Sequence, residues 1–222
     1  MTDTNSLGYH VDLVMCIDKT GSMGGLISQV KNTALTFYEK FRDAMTAGQK
    51  NVSQLRVKII AFGDYKSDSE PMVESQFYLL DDQKGEYSNF VNGIVADGGG
   101  DIPENAYEAI ALAFKSDWAR TGAVRRHVTM VFTDAPALPF SARKGETNYP
   151  ADMPEDLSEL QEIWEGQEMD EKAKRMLLFT PDETSWQAIT EWDSTFHYPS
   201  AAGKDTIVIN MDEILRLLVK SI

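Results

Sequence analysis

Cations are scarce in this chain: 21 Lys and Arg stand against 35 Asp and Glu, a formal net charge of −14 over 222 residues. Such a field repels a phosphate backbone, so sequence-independent nucleic-acid binding is not expected, and acidic partners are disfavoured in general. Cysteine is scarcer still. The single Cys16 rules out an internal disulfide and lies in an apolar run, where packing is its expected role. One cysteine fits a reducing cytoplasm, the expected location. No apolar run approaches the roughly 20 residues a membrane helix needs, and residues 1–7 are polar, without a basic stretch leading into an apolar core. A soluble chain with no membrane contact is therefore expected. The three histidines, His10, His127 and His197, show no metal-ligand spacing and read as structural.

What is present alternates. The apolar run Val11-Asp12-Leu13-Val14-Met15-Cys16-Ile17 predicts a buried strand, and the spacing of Leu26, Val30, Ala34, Phe37 and Phe41 predicts a helix ending near Ala44. Residues 55–62 predict a second buried strand, closed by Gly63-Asp64, and residues 75–80 a short antiparallel partner on the sheet edge. A short helix around Tyr87 to Ile94, a glycine-rich loop at 97–101 and a helix over 103–115 follow. Residues 127–132 form another apolar strand, ended by Thr133-Asp134. Regularity then lapses in an acidic insertion at about 135–175, where 152–171 holds nine acids and no Lys or Arg, the pattern of a solvated face. Leu157, Leu160 and Trp164 still mark an amphipathic helix there. A strand at 176–180, a helix at 185–192 and a closing helix at 212–219, with Ile214, Leu215 and Leu218 inward, complete the reading. The expected fold is α/β: one domain over 1–222, doubly wound, with a mostly parallel six-stranded sheet, one antiparallel edge strand and helices on both faces.

In such sheets, ligands bind at the carboxyl ends of the strands. Three loops there supply oxygen donors: Asp18, Thr20 and Ser22 from the first, Asp101 from the second, Asp134 from the third. Carboxylates and hydroxyls without imidazole or thiol suit a hard divalent cation, magnesium first, or calcium or manganese.

Asp18-Lys19-Thr20-Gly21-Ser22, the glycine loop and Thr133-Asp134 resemble the three parts of the metal-ion-dependent adhesion site of von Willebrand factor type A domains. That family carries Asp-x-Ser-x-Ser after the first strand, a threonine from a glycine-rich second loop and an aspartate from a third. The resemblance implies a non-enzymatic, metal-dependent protein-binding module, with metal ligands Asp18, Thr20, Ser22, Asp101 and Asp134. It further implies a scaffold or adaptor role in an intracellular assembly, with an ATPase, kinase or phosphatase as partner by family analogy. One departure stands out: Asp101 takes the place of the family's neutral threonine. Three carboxylates around a divalent ion leave the site at −1, which should strengthen metal retention and weaken capture of a partner's carboxylate.

Other readings compete. Asp18-Lys19-Thr20-Gly21 also resembles the phosphorylation motif of P-type ATPases, in the haloacid dehalogenase superfamily, which implies a magnesium-dependent phosphohydrolase with Asp18 as nucleophile. That chemistry needs a later lysine and an acidic glycine loop after a later strand, and Gly63-Asp64 comes too early. Asp101, Pro103 and Glu104 together also read as a helix start with a capping box. Asp64 reads as a turn residue, or as a support for the site together with Glu104.

Overall fold

In a computed structural model of the chain, the described residues are 8–98, 103–199, 215, 216, 218 and 219; of these, the side chains of 25, 26 and 29–35 are not described. Strand β1 (Tyr9–Asp18) lies at the centre, paired in parallel with β2 (Val52–Phe62) on one side and β5 (Val124–Phe132) on the other. Beyond β5 come β6 (Lys174–Phe179) and β7 (Thr195–His197), also parallel. At the far edge β3 (Met72–Glu74) and β4 (Tyr78–Leu79) both run antiparallel to β2. Seven strands among the described residues thus fill six positions, in the order β3-β2-β1-β5-β6-β7 with β4 sharing the edge.

The expected single edge strand at 75–80 is therefore two segments, displaced towards the N-terminus. The physical reason is Ser75, whose hydroxyl accepts from Ile59 N at 2.9 Å while its own amide donates to Ile59 O at 2.9 Å. A side chain replaces a main-chain carbonyl in the ladder, and the strand is interrupted. Strand β7, which follows only a turn after its preceding helix, was not expected. Three residues with alternating partial exposure leave too little pattern to read.

Side chains alternate across β1, which explains its unbroken apolar run. Val11, Leu13, Met15 and Ile17 pack with α1 (Gly24–Ala47) and α2 (Lys84–Gly93), whereas Val14 and Cys16 pack with α3 (Ala106–Phe114), α4 (Leu157–Glu165) and α5 (Thr184–Thr190). Phe37 and Phe41 are buried as expected; the side chains of Leu26, Val30 and Ala34 lie outside the described set. Cys16 is fully buried, and burial raises its thiol pKa far above the usual range. Of the closing helix, residues 215, 216, 218 and 219 are helical with Leu215 and Leu218 buried, and Ile214 lies outside the described residues.

The insertion is part of the fold. Asp156 caps α4 by accepting from Ser158 N and Glu159 N, at 2.8 and 3.1 Å, and Leu160 and Trp164 pack on the core beside Phe114. Helix α3, covered on its outer side, is buried on nearly every face.

Candidate metal centre

The first and third of the expected loops meet at the carboxyl edge of the central strands, and the described start of the second, Asp97 and Gly98, lies against the first. Asp18 is the last residue of β1 and pairs with Phe62 of β2, while Ile17 pairs with Phe132 of β5, so Thr133 and Asp134 emerge beside it. The chain turns at once after Asp18. Its Oδ1 accepts from Thr20 N at 2.9 Å and from Thr20 Oγ1 at 2.6 Å, the local closure that a short carboxylate side chain provides. Thr20 then stays extended before a single 3-10 turn, Gly21–Met23, that carries Ser22.

The third loop closes the arrangement. Thr133 Oγ1 donates to Asp18 Oδ2 at 2.6 Å, and Ser22 Oγ donates to Asp134 Oδ1 at 3.1 Å, with the Thr20 and Ser22 hydroxyls 3.3 Å apart. Asp18, Thr20, Ser22 and Asp134 are therefore linked oxygen to oxygen. Asp101 lies outside the described residues. Among the described residues no three His, Cys, Asp or Glu gather at one point, and the site's described donors are two carboxylates and two hydroxyls.

Asp18 is completely buried, and its carboxyl is pushed up to about 6, chiefly by burial and in small part by the charge of Asp134; hydrogen bonds from Thr133 and Thr20 oppose the rise. A buried carboxylate served only by hydroxyls and one amide is a poor place for an anion unless a cation shares it. The donor set, hard oxygens grouped on rigid strand ends, fits magnesium or a similar ion. Those residues would hold it, and it would supply a Lewis-acidic point on the surface.

Two supports were not legible in sequence. The second loop is pinned to the first, because Gly21 N donates to Gly98 O at 3.2 Å and Asp97 N donates to Lys19 O at 3.1 Å. Asp68 is wedged behind that loop. Its Oδ1 lies 1.8 Å from where a Cβ on Gly98 would sit, and its Oδ2 lies 2.1 Å from the equivalent point on Gly63. A Cβ at either position would force the Asp68 carboxylate to move, and at Gly98 a positive φ of 81° favours glycine on its backbone as well. The glycine loop is visible in sequence, but the carboxylate that fills it, some 30 residues earlier, has no local signal.

Asp64 is both the turn residue expected and more. It accepts from Lys66 N and Ser67 Oγ, at 2.9 and 3.1 Å, and pairs with Arg143 of the insertion through Nε at 2.8 Å, fully buried. The capping-box reading of Asp101 and Glu104 needs correction at its C-terminal member. Helix α3 starts at Ala106, and Glu104 is instead bridged to Ala137, with Glu104 N donating to Pro136 O and Leu138 N to Glu104 O. The backbone before the helix is thus spent on the third loop.

Residues 12–144 match the model of the von Willebrand factor A domain, well over half of the chain. The chain belongs to the von Willebrand factor A family. Among solved structures, this A domain is similar to the pilus adhesin SpaC from Lactobacillus rhamnosus GG, at a TM-score of 0.58 and 12% identity over 96% of the chain. The open conformation of the same adhesin gives a TM-score of 0.56 and 13% identity, again over 96%. In each case the A domain spans 30% of the adhesin's length, and at such identity the likeness is one of fold. No curated protein matches the sequence significantly.

Proposed function

We propose that this A domain is a metal-dependent protein-binding module, holding magnesium, or calcium or manganese, through Asp18, Thr20, Ser22 and Asp134, with Asp101 as the variant ligand from the second loop. The observation that carries the proposal is the continuous set of contacts from Thr133 through Asp18, Thr20 and Ser22 to Asp134, which joins two loops over one point at the sheet edge. The partner is a protein that contacts this edge and supplies the last ligand. By family analogy it belongs to a cytoplasmic assembly with an ATPase, kinase or phosphatase, which the A domain serves as scaffold.

Asp101 biases the bargain. A third carboxylate near the ion adds attraction on the order of 1 to 4 kcal/mol at effective dielectrics between water and a protein surface, favouring metal retention over a charged partner ligand. The phosphohydrolase alternative is served less well: Asp18 is fully buried and both its oxygens accept hydrogen bonds, a posture suited to orienting a site rather than attacking a phosphorus.

The test is affinity capture from a cell lysate with the full chain, in Mg2+ and in chelator, beside Asp18→Ala and Asp101→Thr. Partners lost in chelator and in Asp18→Ala support the module. Identical capture in all conditions, or a trapped aspartyl phosphate at Asp18, refutes it. An unaltered metal affinity in Asp101→Thr removes the role given to Asp101.

A further inference from the structure

After the 3-10 turn Phe140–Ala142, residues 143–152 of the insertion run as a strap past the start of α3 and the loop that follows β2. The strap has little apolar burial of its own, since 144–148, 151 and 152 are all exposed. Its backbone is also unfavourable in places. Positive φ recurs at Gly145, Asn148 and Asp152, at 141°, 68° and 58°, and the two non-glycine residues carry a cost there. Such a segment is drawn from the low-stability end of a fold.

Two side chains anchor it inward. Arg143 Nε donates to Asp64 Oδ1 at 2.8 Å, and Tyr149 Oη donates to Glu108 Oε1 at 2.8 Å while its ring lies 5.1 Å from that of Tyr65. The outer ties, Lys144 to Glu155 and Lys115 to the Asp152 carbonyl, are exposed and contribute little. Around Tyr149 the closed strap seals in polar atoms without hydrogen-bond partners: Tyr65 Oη, Asn105 Nδ2 and Glu108 Oε2. Each is costly where it lies, and water would match all three if Tyr149 lifted.

Glu108 is the decisive member, because it is fully buried and can change charge. It is faced by Asn105 and Tyr107 from α3, by Tyr65 from the loop after β2, and by Tyr149 and Arg143 from the strap. Asp64 offsets Arg143 by pairing with it, and Glu155 acts on Tyr149. Burial raises the Glu108 carboxyl above its ordinary value, against the hydrogen bond from Tyr149 and the weaker pull of Arg143. Ionisation would strengthen the phenol contact. It would also leave a charge on Oε2 with no donor, where water enters only once Tyr149 has moved.

We propose that residues 143–152 form a pH-sensitive strap, latched through Tyr149 onto the protonated Glu108 carboxyl, which opens as a unit when Glu108 ionises while the sheet stays intact. Opening uncovers Tyr65 and the first turn of α3, beside the bridge from Glu104 to Ala137 in the third loop. The latch needs no metal. The closed strap keeps a proton that the open, solvated carboxyl releases. Closure is therefore strongest below the ordinary glutamate value of about 4.5 and weakens as pH rises towards the closed-state value. Across that window the opening constant rises by up to about tenfold per pH unit.

Hydrogen exchange of the full chain between pH 5 and 8, corrected for the intrinsic rate at each pH, tests the latch. Peptides covering 143–152 should open about tenfold more at pH 8 than at pH 5, while those covering β1 stay protected. Glu108→Gln keeps an acceptor for Tyr149 and cannot ionise, so the pH dependence of 143–152 should disappear. Tyr149→Phe should open the strap about tenfold at pH 5, the loss of one buried hydrogen bond. A pH-independent strap in the parent protein, a parental slope in Glu108→Gln, or 143–152 and β1 losing protection together would overturn the proposal. Should Glu108→Gln not fold by circular dichroism, the parent slope measured against β1 and the Tyr149→Phe response decide it.

Discussion

The Thr133 hydroxyl donates to Asp18 Oδ2 across 2.6 Å, tying the end of β5 to the end of β1, and accepts from Ala135 N at 3.0 Å. It therefore fixes both a proposed metal ligand and the loop carrying Asp134. Thr133→Val keeps the shape and removes both bonds. The expected outcome is a stability loss of about 1–3 kcal/mol, from buried groups left without partners. Metal affinity should fall about 10- to 100-fold, as when other groups orienting a ligand are lost. Thr133→Ser should restore most of each, by urea unfolding and metal titration.

Gly98 and Asp68 offer a second test. Gly98→Ala places a methyl group on the Asp68 carboxylate at a positive φ, and should cost at least about 1–3 kcal/mol. In Asp68→Gly the overlap disappears and only backbone strain remains. The double variant should therefore show a positive coupling, with the cost of Gly98→Ala visibly smaller on the Asp68→Gly background.

The buried pair of Asp64 and Arg143 holds the insertion against the loop after β2. Arg143→Ala leaves an uncompensated carboxylate at a site with no exposure and should destabilise by about 3–5 kcal/mol. Asp64→Asn with Arg143→Met should cost clearly less than Arg143→Ala alone, a comparison that separates the loss of packing from the stranded charge.

Much of this architecture was legible because burial on both faces writes itself into the sequence as unbroken apolar strands. Residues 11–17 and 127–132 are examples, and each ends in its candidate ligand, Asp18 and Asp134. Asp18, Thr20 and Ser22 were readable as a group because they lie within five residues of one turn. Asp68, Arg143 and Thr133 were not readable as supports, since each acts through a contact across the fold: Asp68 on Gly98, Arg143 on Asp64, and Thr133 on Asp18, 115 residues away in sequence. The start of α3 was misread for a related reason. Local capping signals favoured residue 103, whereas pairing of Glu104 with Ala137 took the backbone first.

Glu108, inside α3 and fully buried, accepts from Tyr149 Oη at 2.8 Å, and burial raises its carboxyl above the ordinary value. The folded protein thus keeps a proton there at pH values where the unfolded chain has released it. The associated stability is present in full below the unfolded carboxylate pKa and is lost as pH rises through the folded one. Glu108→Gln should therefore flatten the pH dependence of unfolding free energy above pH 4.5, falling behind the parent protein least, or exceeding it, at neutral pH. A parallel shift at all pH values would show that Glu108 titrates normally.

Metal dependence is the centre of the account, and calorimetric titration of Mg2+ and Mn2+ into the full chain and into Asp18→Ala tests it most directly. One ion per chain bound by the parent protein, with binding abolished in Asp18→Ala while both proteins remain folded by circular dichroism, is the result expected. Absence of binding to the folded parent protein, or equal binding to both proteins, would contradict it.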